Sequence, residues 1–71
     1  MDMTLAHMKR YCDGCKEVRI WTDYDAYLKN REPEAILGRY DDVPTPYNKE
    51  VRSWRVDSVD DIGESIICVV V

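Results

Sequence analysis

An α+β fold, with one N-terminal helix packed on a four-stranded, mainly antiparallel sheet, is the architecture the 71 residues predict. Three observations predict it. A short stretch with helical spacing opens the chain, four segments rich in β-branched and aromatic residues follow, and prolines break the sequence between them. The element order is α-β-β-(short helical turn)-β-β within a single domain, residues 1–71.

The helix comes first. Leu5, Met8 and Cys12 fall at i, i+3 and i+7 with Lys9 and Arg10 between them, so one stripe is apolar. Asp2 or Thr4 can cap its start, and Gly14 stands where a left-handed residue ends helices, which predicts a stop at about residue 12 or 13. The segment EVRIWT, residues 17–22, then alternates Val18 and Ile20 with Arg19 and Trp21, as a strand does. In DYDAYLKNREPE, Asp23 or Asp25 can cap at most two helical turns before Pro33 intervenes, with Tyr24, Tyr27 and Leu28 on one side.

AILGRY, residues 35–40, is a short strand whose Gly38 marks a bulge or a close backbone approach. DDVPTPYNKE carries two prolines two residues apart, which favour a 3₁₀ turn, with Val43 and Tyr47 as feet into the core. VRSWRVD and ESIICVVV form a hairpin, and Trp54 and Val56 share a face of its first strand. Both faces of the terminal strand are apolar: Ile66, Cys68 and Val70 alternate with Ile67, Val69 and Val71. Such a strand is either central with a layer on each side, or it offers its second face to another copy as a homodimer through the C-terminal strand.

Composition narrows the function. A chain this short buries only about 60% of its unfolded surface, so a metal, a disulfide or a partner is a natural source of added stability. With 14 acidic and 10 basic residues the net charge is -4, which disfavours direct binding to the nucleic-acid backbone. Residues 36–71 hold seven acidic and four basic side chains, so the acidity lies mainly in the second half. Three cysteines and no leader-like start suggest reduced thiols in a cytoplasmic protein. The longest apolar run, IICVVV, is far below the roughly 20 residues a membrane helix needs.

YCDGCKE, residues 11–17, holds the only paired cysteines. With Cys68 and His7 they would complete a Cys₃His set, so a structural zinc domain using Cys12 and Cys15 is one reading. Two features oppose it: Cys68 lies inside a strand, and His7 projects about 140° from Cys12 around the helix. The alternative is a turn that ends the helix, which predicts no cofactor. A redox CxxC places its first cysteine at a helix N-terminus, and here the pair follows the helix. Nothing else assembles a nucleophile, a base and an oxyanion site, so an enzyme is not expected.

Asp57, Asp60, Asp61 and Glu64 stand in one basic-free segment, and Asp23, Asp25, Asp41 and Asp42 form a second set. Gathered on one edge, they would steer the domain towards a basic cleft and compete there with nucleic acid. Trp21, Tyr24, Tyr27 and Tyr47 would add interface anchors, as aromatic residues do.

The order of elements, with KEVRIWTD, ILGRYDDVP, VRSWRVD and an apolar C-terminal strand, resembles small acidic accessory proteins of phages and mobile elements, a class that includes anti-CRISPR inhibitors. The cysteine pair departs from the usual polar turn of that class. The resemblance implies a non-catalytic protein-binding module in the host cytoplasm, with a basic nucleic-acid-processing enzyme as its partner.

Overall fold

The chain lays one mixed β-sheet between two unequal helical layers, and the apolar parity of its strands dictates where each layer goes. The structure, a computed structural model, describes residues 3–11, 15–59, 61, 62 and 64–71. Its elements are α1 (Leu5–Arg10), β1 (Cys15–Trp21), α2 (Tyr24–Leu28), β2 (Ala35–Gly38), a 3₁₀ turn (Thr45–Tyr47), β3 (Ser53–Val59) and β4 (Ser65–Val70).

The strand order is β2-β1-β4-β3. The β1–β2 and β3–β4 pairs are antiparallel, as expected, but the central β1–β4 pair is parallel, so the sheet is mixed. The reason lies in the connection after β2. Residues 39–52 cross from one edge of the sheet to the other, and β3 and β4 therefore return with β4 innermost. β4 is the strand that the sequence marks as apolar on both faces, and a central position buries both.

On the first face, Val18 and Ile20 of β1, Leu37 of β2 and Ile67 and Val69 of β4 meet Leu5 and Met8 of α1. Val43, Tyr47 and Val51 of the crossing connection complete that cover. Backbone bonds dock the helix on this connection: the Leu5 N–H donates to the Lys49 carbonyl at 3.0 Å, and the Val51 N–H to the Met3 carbonyl at 2.8 Å. Thr4 is the N-cap, its hydroxyl accepting from the His7 N–H. The helix ends at Arg10, about two residues before the expected stop, where the Tyr11 N–H turns back to the Met8 carbonyl. Cys12, Asp13 and Gly14, and Asp2 as the other candidate cap, lie outside the described residues.

On the second face, Trp21, Cys68 and Val70 are covered by Tyr27 and Ala26 of α2. This small helix, within the two helical turns that the sequence allows there, is what seals the far side of β4. Cys68 and Val70 are fully buried, so the face offered above to a second copy is occupied by the chain's own α2. Asp23 is its N-cap, and its C-terminal end is closed by Asn30 in the left-handed region (φ 52°). There the Asn30 N–H bonds the Tyr27 carbonyl and the Arg31 N–H bonds the Ala26 carbonyl, the paired bonds of a Schellman cap.

Candidate protein-binding surface

Strand direction decides which loops meet. β2 ends at Gly38 opposite Glu17, and β4 begins at Ser65 opposite Cys15, so residues 39–42 lie at the same end of the sheet as residues 61, 62 and 64. An ion pair ties them together, the Arg39 guanidinium to Glu64 at 2.5 Å. β2 stops two residues earlier than the sequence suggests because Asp41 folds back. Its Oδ2 accepts the Gly38 N–H at 2.7 Å, and a Cβ at Gly38 would lie 3.2 Å from that oxygen. The close approach expected at this glycine is therefore to a carboxylate.

The early stop turns Tyr40 out of the sheet and into the loop, where it is 90% exposed, and Ile62 of the facing hairpin is 78% exposed. Asp41, Asp42 and Asp61 are exposed beside them. Sequence reasoning placed Tyr40 at the end of a strand and so missed it; the Asp three residues after Gly38 was the available signal. A cleft of about 310 Å³ opens alongside, between Ala6, Lys9 and Arg10 of α1 and residues 39–43. Lys9 spans it, its Nζ donating to the Arg39 carbonyl at 2.9 Å. With three cations and two carboxylates in its lining, the cleft favours no single sign of ligand.

The remaining predicted site residues are dispersed. Asp23 and Asp25 stand at the opposite end of the sheet, one capping α2 and the other paired with Lys29 at 3.2 Å. Asp57 reaches Arg19 across the second face at 3.4 Å. Asp60 lies outside the described residues. Trp21 and Tyr27, expected as interface anchors, are 1% and 3% exposed and form the core of the second face. They are buried because β1 and α2 place them together over β4. Tyr24 is partly exposed but sits with α2, and Tyr47 is half-buried against the first core.

The cysteines separate in the same way. Cys15 belongs to the first-face cluster and Cys68 to the second. Cys15 lies opposite Ser65, three residues along β4 from Cys68, or roughly 10 Å at the rise of a strand. One metal ion cannot take both thiols across the sheet. His7 is exposed on α1 with its ring 5.0 Å from that of Tyr11, and Cys12 lies outside the described residues. Among the described residues no three ligating side chains gather. Burial pushes the Cys68 thiol up, aided by Asp57, the reverse of what a thiolate ligand or nucleophile requires.

The second face also carries a cation over aromatic rings. Arg55 places its guanidinium 4.3 Å from the Tyr27 ring centroid and 5.9 Å from that of Trp21. It also donates to the Tyr27 carbonyl at 3.0 Å and to Asn30 Oδ1 at 3.2 Å. These partners lie in α2, in its C-terminal cap or beneath it, so Arg55 acts as a clamp on that helix. No described helix is long and apolar enough to cross a membrane.

Comparison of the chain with protein-family models, with curated proteins and with solved structures finds no match.

Proposed function

We propose that the chain is a non-catalytic protein-binding module that docks the β2–hairpin end of its sheet on a basic surface of a protein partner. The observation that carries this reading is the convergence at that end of exposed Asp41, Asp42 and Asp61 with the exposed side chains of Tyr40 and Ile62. Carboxylates around an aromatic and an aliphatic anchor give long-range steering and a desolvated centre in one surface. Arg39 pairs with Glu64 there, and Asp41, Asp42 and Asp61 remain exposed around the two anchors.

Nucleic-acid-processing enzymes carry basic clefts, and an acidic module seated in one competes with the phosphate backbone. The resemblance to phage and mobile-element accessory proteins points the same way, to an inhibitor of a host defence enzyme acting in the cytoplasm. The test is the affinity of the captured partner for wild type and for Asp41→Lys/Asp42→Lys/Asp61→Lys over a salt series. The reading predicts at least about tenfold weaker binding, roughly 1.4 kcal/mol, and a flatter salt dependence in the variant. Equal affinities and equal slopes reject it.

A further inference from the structure

The two layers over the sheet are held by different kinds of bond. In the first layer, backbone groups join α1 to the crossing connection, Leu5 to Lys49 and Val51 to Met3. In the second, the backbone bonds of residues 24–31 all close within residues 23–31, and among the described residues no backbone–backbone hydrogen bond joins that segment to the sheet. Side chains alone hold it down. Tyr27 is buried with Trp21, Cys68 and Val70, its hydroxyl 3.4 Å from Ser53 Oγ. The Trp21 indole donates to the Arg31 carbonyl at 3.2 Å, and half-buried Arg55 donates to the Tyr27 carbonyl and to Asn30 Oδ1.

The feet of the segment are fixed separately. Thr22 gives its N–H and hydroxyl to the Glu34 carboxylate, its carbonyl accepts from Arg52, and the Glu34 N–H donates to the Ile20 carbonyl. None of these bonds involves residues 24–31, so none has to break when the segment lifts.

We propose that residues 24–31 form a strap that opens as one unit on these feet, hinged at Asp23 and at Glu32 and Pro33, while the sheet and the first core stay closed. Opening releases one buried tyrosine, one indole hydrogen bond and the bonds of Arg55, and water can replace each of those hydrogen bonds. Segments held in this way open at a lower free energy than the whole fold. Among the described residues the first core holds nine buried side chains and the second only four, so the strap has little burial to lose. A helix of five residues does not persist alone, and α2 therefore melts as it lifts. The opened state bares the apolar side chains of Trp21, Cys68 and Val70, which the closed chain hides. The strap stands at the opposite end of the sheet from Tyr40 and Asp41, so the proposal is independent of the acidic-end reading.

Cys68 reports the opening, because its thiol is fully buried beneath α2. Alkylation of the folded chain by iodoacetamide, read by mass spectrometry of the peptide carrying Cys68, gives a rate relative to that of the urea-unfolded chain at the same pH. This ratio should exceed the unfolded fraction obtained from urea denaturation at least about tenfold, and should change little in low urea, because lifting the strap exposes little surface. Val43→Ala trims a partly buried side chain of the first layer. It should lower the urea midpoint and leave the Cys68 ratio at the wild-type value, whereas Arg55→Ala should raise the ratio about tenfold. A wild-type ratio equal to the unfolded fraction, rising in step with it in Val43→Ala, overturns the proposal, because the thiol is then reached only by global unfolding. A ratio that Arg55→Ala leaves unchanged overturns it as well, because Cys68 is then reached by another route.

Discussion

Glu34 shows how one side chain closes a loop in this chain. Its Oε2 accepts the Thr22 N–H at 2.6 Å and the Thr22 hydroxyl, while its own N–H donates to the Ile20 carbonyl at 2.9 Å. The α2 excursion is thus pinned at both ends to the top of β1. The Thr22 hydroxyl, then the Thr22 N–H, hold the Glu34 carboxyl below the usual carboxylate range. A carboxylate whose folded pKa is lowered stabilises the fold above its unfolded pKa, and that contribution is lost as the pH falls through the folded value. Urea midpoints should therefore drop between about pH 5 and about pH 3, and less so in Glu34→Gln. An identical pH dependence in the two proteins would remove Glu34 from the account.

Which residues cap and which residues bury was legible at this scale only where local chemistry decides. Thr4 and Asp23 were both readable as caps, because a hydroxyl or carboxylate before a helix has one short-range task. The buried state of Trp21 and Tyr27 was not readable, because it depends on α2 folding over β4. An aromatic residue in an acidic sequence neighbourhood looks the same whether it anchors a partner or a core.

At the scale of elements, α2 is the piece most dependent on others. Five residues make no stable helix alone, and this one is held by a side-chain cap, a Schellman cap, the burial of Tyr27 and the Arg55 clamp. Arg55→Ala removes two charge-assisted hydrogen bonds and the stacking on Tyr27 together. It should cost about 1–3 kcal/mol of stability and speed amide exchange selectively in residues 24–31. Uniform exchange across the sheet and α2 would mean that the helix is held by its own caps and by Tyr27. The strands themselves were legible from alternation, and the two-faced apolar pattern of β4 correctly gave its need for cover on both sides. The parallel β1–β4 pairing was not legible, since strand order is set by the path of residues 39–52, and alternation carries no sign of direction.

At the scale of the whole molecule, the two ends of the sheet are built differently. One end holds α2, Thr22 and the C-terminal residue: the Arg52 guanidinium donates to the Thr22 carbonyl at 2.5 Å and to the Val71 carbonyl at 3.0 Å. The other end collects Asp41, Asp42 and Asp61 with Tyr40 and Ile62, three of the eight carboxylates that the sequence displays in two sets. Sequence distance could not divide the two sets, because an antiparallel return brings residues 41 and 61 together and sends 23 and 25 to the far end. Separation of Cys15 and Cys68 by the sheet follows from the same topology.

The central claim is that the acidic end meets the partner. Site-specific photo-crosslinking tests it most directly, with the photoreactive residue placed at Tyr40 in one protein and at exposed Arg31, beyond α2, in another. The account predicts one covalent adduct with a basic partner from position 40, suppressed at high salt, and none from position 31. Adducts from position 31 with none from position 40 would contradict it.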